Sequence, residues 1–150
     1  MMAVLGIAAP SSHAAAAPSC PNAGFVVVEP KDSPAVRPVR NGRHTIFVRR
    51  NPITTTADLT EIKLDGDAYD TLILLKFTPE AAQRLQDATT DKSGLRIAFV
   101  ADDRVISAVT WEGPYGMDAN LGVQLSLGRA TPQVVPIVEA VQRCIGSKAR

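Results

Sequence analysis

Few side chains in this sequence are equipped for chemistry, and each of them has a readable setting. Cys20 and Cys144 supply the only thiols, and His13 and His44 the only imidazoles. A nucleophilic site would set the Cys144 thiol against His44 and an acid. Cys144, however, falls on or beside the apolar face of a helical pattern, where a thiol stays protonated and inert. The chain has no HExxH, GxSxG or GxGxxG motif and no Walker-type phosphate loop. Asp65, Asp67 and Asp70 begin like a calcium loop. That register needs glycine at position 70 and glutamate at position 76, where the chain has Asp70 and Lys76. The aspartates therefore read as a hairpin turn, and so does Asp102-Asp103. No metal site and no cofactor are expected. The remaining constellation is Trp111, Tyr115 and Met117, in a loop over 111–118 punctuated by Gly and Pro. Aromatic and Met side chains give adaptable contacts with apolar polypeptide segments. The same residues suit a second role, with Trp111 capping a core beneath the loop.

The elements that must position these groups belong to one domain, since 150 residues leave room for no more. Hydrophobic residues make up 45% of the chain but aromatics only 5%, so the core must be built from Val, Ile, Leu and Ala. Sixteen basic against fifteen acidic side chains exclude a nucleic-acid binder driven by bulk charge. The charge is nonetheless uneven. Residues 29–50 carry six basic and two acidic groups, and residues 58–91 carry eight acidic and three basic. This separation either steers a partner or is simply a solvated surface. No apolar run reaches the ~18 residues that would span a bilayer.

The N-terminus reads as an export signal over residues 1–19. A short apolar stretch, Met1 to Ala9, precedes small residues at Ala14 to Ala17 that suit signal-peptidase cleavage, although no Lys or Arg comes before it. A flexible Ala-rich tail is the alternative. Export to the periplasm or beyond would favour a disulfide between Cys20 and Cys144, near the two ends of the mature chain. A lipoprotein reading competes for Cys20, but Ala17-Pro18-Ser19 makes a poor lipobox, and the disulfide is preferred.

Residues 20–45, with Pro30, Pro34, Pro38 and Gly42, read as an extended lead-in outside the packed domain. The domain proper is expected over residues 46–146, with an α+β order. Thr45 to Arg50 is β-prone, and Thr56 to Leu59 reads as a turn or a single helical turn. Thr60 to Leu64 and Asp70 to Phe77 form strands joined at Asp65-Gly66. The Leu72 to Leu75 run is apolar on both faces and predicts an interior strand. Thr78-Pro79-Glu80 opens a helix that stops at Gly94. Leu95 to Ala101 and Arg104 to Thr110 pair across Asp102-Asp103. Leu121 to Leu127 alternates as a last strand, and Thr131-Pro132 opens a last helix with Val134, Ile137, Val138, Val141 and Ile145 on one face.

Together these pieces resemble the periplasmic head subdomain of the Sec translocation accessory protein SecD (SecDF), over about residues 46–127. The residues that carry the resemblance are the Thr56-Ala57-Asp58-Leu59 turn, the Phe77 to Ala82 helix entry, the run Thr89/Thr90, Gly94 and Ala98, and the hairpin strand Val105 to Ala108. Val109 stands where the family usually has Pro, and Asp103 where its hairpin usually has Gly; Asp tolerates the left-handed region well. The sequence holds no counterpart of the SecD transmembrane helices, which in that family carry proton-coupled movement. The resemblance implies an α+β head, with a mixed or antiparallel sheet and two main helices packed on it. It also implies a task in protein export: contact with translocating or unfolded polypeptide or another envelope protein, Sec translocon components among them. Fold alone does not fix function. The expectation is an exported, non-enzymatic domain whose contact residues are Trp111, Tyr115 and Met117. The alternative is a small envelope hydrolase using Cys144 or His44.

Overall fold

The computed structural model describes residues 20–67, 71–128 and 134–148. The export signal over 1–19, Asp70 and the Thr131-Pro132 helix opening lie outside the described residues. The elements in chain order are β1 (Ala23–Glu29), β2 (Val36–Asn41), β3 (His44–Arg49), a 3-10 turn (Thr56–Asp58), β4 (Leu59–Gly66), β5 (Thr71–Phe77), α1 (Pro79–Thr89), β6 (Arg96–Ala101), β7 (Arg104–Thr110), β8 (Val123–Ser126) and α2 (Val134–Lys148).

Several of these follow directly from local chemistry. The Thr78 hydroxyl accepts the Ala81 N–H at 3.3 Å and Pro79 occupies the first helical position, so α1 starts where a cap and a proline want it. The helix ends at Thr90, sooner than Gly94, and Asp91 takes the left-handed conformation that follows. Asp102 and Asp103 both adopt positive φ, 52° and 58°, as a two-residue hairpin between right-twisted strands requires. In α2, Val138 and Val141 are buried and Val134, Ile137 and Ile145 pack beside them, the single apolar face read from the sequence.

The sheet arrangement departs from the expected single sheet with helices on it. Five strands close into a small barrel in the order β1-β3-β2-β7-β6, and β4-β5-β8 form a separate antiparallel sheet. The barrel has its own narrow core of Val26, Val39, Val48, Ala98 and Val100. The outer wall made by β1 and β6 then faces the three-stranded sheet and both helices across a larger core, where Phe25, Ile73, Leu75, Leu85, Phe99 and Val141 are all fully buried. Phe25 stacks edge-on against Phe99, with ring centroids 5.3 Å apart.

Residues 20–45 are the chief correction: they hold two packed strands, not a lead-in. Phe25 and Val39 are buried, and β1 pairs with both β3 and β6. Pro38 misled because proline normally argues against a strand. Here it lies opposite Phe47 in the β2–β3 hairpin. Counted from the closing pair Asn41 and His44, that is a position whose N–H would point away from β3, so no ladder bond is lost. Gly42, at φ +60°, is the first central residue of that two-residue turn.

Smaller corrections concern the second sheet. Strand β4 runs on through Asp65-Gly66, and Gly66 pairs with Thr71, so the turn lies beyond the expected dipeptide. The apolar run in β5 is covered on one face only: Ile73, Leu75 and Phe77 are buried, whereas Leu72 and Leu74 are half-exposed. Both helices and the barrel wall lie on the Ile73 side, and among the described residues no element packs over the other. The last strand begins at Val123. Gly122 turns at φ +98° and leaves Leu121 87% exposed, out of line with buried Val123 and Leu125.

A threonine cluster finishes β1. Before Val28, this strand has no partner from β3, and the segment 53–56 takes its place. Thr54 and Thr56 are buried, and their hydroxyls accept the N–H groups of Phe25 at 2.9 Å and Ala23 at 2.7 Å, while Ile53 N–H reaches Phe25 O at 2.8 Å. The approach is so close that a Cβ on Gly24 would overlap the Thr54 carbonyl.

Candidate functional site

The loop after β7 is held mostly through its backbone groups, with one further bond from the Trp111 indole. Trp111 N–H bonds Leu95 O at 2.7 Å, and Gly94 N–H returns to Trp111 O at 2.8 Å. The indole Nε1–H of Trp111 closes the loop on Tyr115 O at 2.8 Å. Asp91 N–H meets Pro114 O, and Met117 N–H donates to the Thr89 hydroxyl at 2.6 Å. These bonds turn the three expected contact residues in three different directions. Tyr115 is 83% exposed, Trp111 is half-buried against the core, and Met117 is buried within it. Met117 is therefore not a surface residue as the sequence suggested. Its backbone is tied to the C-terminal turn of α1, which draws the side chain under the loop.

Beside this loop, strands β7 and β8 approach without pairing. The Ser107 hydroxyl donates to Ser126 O at 3.4 Å, which shows that the outer edge of β8 faces β7. Backbone direction alternates along a strand, so the N–H and C=O of Gln124 face the same way. Trp111 bonds Leu95, and the groups of Thr110 therefore point away from β6, toward β8. Among the described residues, the only strand partner of β7 apart from β6 is β2, through the single pair Arg40 and Arg104. Away from Ser107 the two edges enclose a groove of about 410 Å³. Val109, Met117, Val123 and Leu125 line its apolar part, and Trp111 and Gln124 its sides, while Glu112 and Asp118 add negative charge. Sequence reasoning found Trp111, Met117 and a last strand over Leu121 to Leu127, but not the groove, because the approach of β8 to β7 is set by residues far apart in the chain.

Cys20 and Cys144 are joined in a disulfide with Cα atoms 5.7 Å apart, an ordinary span. The bond ties the lead into β1 to α2 and engages the one sulfur on which a thiol hydrolase would depend. His44 is exposed at the start of β3. Among the described residues there is no free cysteine, and no group of three or more His, Cys, Asp or Glu side chains is placed to hold a metal ion.

Charge stabilises the 3-10 turn that precedes β4. The Asp58 carboxylate accepts the Thr55 N–H at 2.8 Å and pairs with Arg84 Nη2 of α1 at 2.7 Å. Partial burial pushes the Asp58 carboxyl up, but the Arg84 hydrogen bond, the Thr55 N–H and the Arg84 charge together outweigh it. They hold the carboxyl below its ordinary value. Arg84 Nε also donates to Ile53 O at 3.1 Å, so one guanidinium joins α1 to both ends of the threonine segment.

The barrel, the adjoining three-stranded sheet and the Thr56–Asp58 turn are accompanied by a family match. The SecDF P1 head subdomain family matches residues 33–131. The chain belongs to this family. Two solved structures share the SecDF head fold with it. The first, described as the structure and function of a membrane component SecDF that enhances protein export, superposes with a TM-score of 0.56 at 17% identity over 81% of this chain. The second, SecDF in a super-membrane-facing form, gives a TM-score of 0.54 at 19% identity over 82% of this chain. This chain spans 62% of the first SecDF chain and 18% of the second. No curated protein matches the sequence. Among the described residues, no helix is long and apolar enough to cross a membrane.

Proposed function

We propose that this SecDF-head domain is an exported, non-enzymatic component of protein export that holds extended, unfolded polypeptide in the groove between β7 and β8. The observation that carries the reading is the pair of unfilled strand edges facing each other over an apolar floor. An extended chain entering there gains main-chain hydrogen bonds from either side, which are independent of sequence. The pocket above Met117 and Leu125 accepts one apolar side chain, and Glu112 and Asp118 favour a neutral or basic segment. Trp111 contributes a wall, Tyr115 an exposed ring next to the entrance, and Met117 part of the floor. The reading includes removal of residues 1–19 on export and a periplasmic or secreted location. The partner is a translocating polypeptide or another envelope protein, with Sec translocon components nearby. Engagement of Cys20 in the disulfide supports this over a lipid anchor.

The test is binding of a reduced, carboxymethylated model protein, followed by fluorescence anisotropy. Gln124→Pro removes an N–H that faces the groove and is not needed by β5. It should weaken binding several-fold while leaving the far-ultraviolet spectrum unchanged. Wild-type protein that shows no binding up to high micromolar concentration would defeat the reading, as would a folded Gln124→Pro that binds equally well.

A further inference from the structure

The barrel wall formed by β2 and β3 has a composition unlike the rest of the surface. Val39 and Val48 point into the barrel, so the alternate residues point out. Three cross-strand pairs make up this outward face: Val36 with Arg49, Pro38 with Phe47, and Arg40 with Thr45. An apolar strip of Val36, Pro38 and Phe47 thus runs between arginines, and the turn at its end adds Arg43. Glu29 pairs with Arg49. Arg40, Arg43 and Arg50 have no carboxylate partner among the described residues; Arg50 instead donates to Val36 O at 3.2 Å. The nearest acidic turn, Asp102-Asp103, spends the Asp103 carboxylate on Arg37 at 2.6 Å and leaves Asp102 to offset part of the charge.

Position in the fold sharpens the asymmetry. Strands β1 and β6 face the larger core, so β2 and β3 are on the opposite side of the barrel. The acid-rich segment 58–91 supplies β4, β5 and α1 on the far side of that core. The domain is therefore an electrical dipole whose positive pole is a two-stranded face with an apolar centre. A negatively charged plane would turn that face toward itself. An acidic polypeptide would use the arginines but would leave exposed Pro38 and the uncovered parts of half-buried Val36 and Phe47 in water. An interface in which charged headgroups border apolar chains satisfies both at once.

We infer that the β2–β3 face docks on an anionic lipid surface, with Arg40, Arg43 and Arg50 at the headgroups and Val36, Pro38 and Phe47 against the boundary below them. This contact is separate from the β7–β8 groove and leaves it open.

Co-sedimentation of the full chain with phosphatidylglycerol/phosphatidylcholine vesicles tests the inference. Binding should appear with the anionic vesicles, be absent with pure phosphatidylcholine, and disappear in 0.5 M salt, where the Debye length is about 4 Å against about 30 Å at 0.01 M. Arg40→Glu with Arg43→Glu, both at exposed positions, should cut the vesicle affinity by at least about ten-fold. Their thermal melt and their binding to unfolded polypeptide should not change. Equal binding to both vesicle types, or binding indifferent to the two substitutions, would overturn the inference and assign the contact to residues 1–19 or to general adsorption. Polyglutamate binding as tight as vesicle binding, and equally lost in the double variant, would overturn it in favour of an acidic polypeptide. Protein that stays in the supernatant with every vesicle would also overturn it.

Discussion

The Thr89 hydroxyl accepts the Met117 N–H at 2.6 Å and donates to Leu85 O at 2.7 Å. One buried oxygen thus satisfies the helix behind it and the loop in front, and the floor of the groove depends on it. Thr89→Val keeps the shape and removes the acceptor. It should cost about 1–3 kcal/mol, because the Met117 N–H is then buried without a partner. The measurement is a urea titration, with amide exchange at Met117 rising more than at Val138 or Val141. If exchange at Met117 is unchanged, the loop is held by something else.

Gly24 should not tolerate alanine. The added Cβ meets backbone, the Thr54 carbonyl, and backbone yields less readily than a side chain. Gly24→Ala should lower the melting temperature by several degrees, although a strand ordinarily gains from losing a glycine. Gly128→Ala, where a Cβ meets open space but φ is positive, should be milder. The order of the two melts decides the point.

Acid should weaken the junction between α1 and the threonine segment. The Asp58 carboxyl sits below its unfolded value, so the unfolded chain binds its proton first as pH falls. The stabilisation is complete above about pH 4 and is lost as pH drops through the lower folded value. Asp58→Asn should cost about 1 kcal/mol at neutral pH, in the range of a lost cap, and should flatten stability below pH 4 relative to wild type. Equal acid slopes for the two proteins would contradict this account.

Charge should separate the two faces of β5. Ile73→Asp buries an unpaired carboxylate and should unfold the domain, whereas Leu74→Asp points into a half-exposed face and should remain folded with a modest loss. Near-ultraviolet circular dichroism of the two variants distinguishes them. A folded Ile73→Asp would place the core on the wrong side of the sheet.

Reduction should leave a folded but weaker domain. The Cys20–Cys144 bond spans 124 residues of sequence, and closing so long a loop is worth about 4–5 kcal/mol in the chain-entropy picture and less in practice. Cys144→Ser should shift the urea midpoint downward with little change in the far-ultraviolet spectrum, and a midpoint equal to that of the oxidised protein would show the bond to be idle.

The parts that were legible in the sequence are those governed by neighbouring residues. Thr78-Pro79 announced α1, Asp102-Asp103 announced its hairpin, and the 3.6-residue spacing from Val134 to Ile145 announced the buried face of α2. The parts that were not legible depend on residues far apart. Pro38 is allowed in β2 only because of where its missing N–H points, and that is fixed by the Asn41–His44 turn. Barrel closure rests on the single pair Arg40 and Arg104, which no local pattern encodes. Leu74 and Ile73 each lie between two apolar residues, and only the placement of both helices on one side tells them apart. Met117 looked like a surface residue because it lies in a polar loop, and its burial is decided by Thr89, 28 residues earlier.

Strands β1 and β6 belong to two cores at once. Phe25 and Phe99 face the larger one, while Val26, Ala98 and Val100 face the narrow interior of the barrel. Slipping either strand by one residue would drive a phenylalanine into a space sized for valine and would strand small side chains in the wide core, so volume alone locks the register. Between Ala23 and Val27 and between Ile97 and Ala101, neither strand has a face on which to park a polar side chain, and mutational drift must therefore fall elsewhere. In an exchange experiment the amides of Val26 and Ala98 should be among the last to open, which makes this strand pair the natural place to read the global stability of the domain.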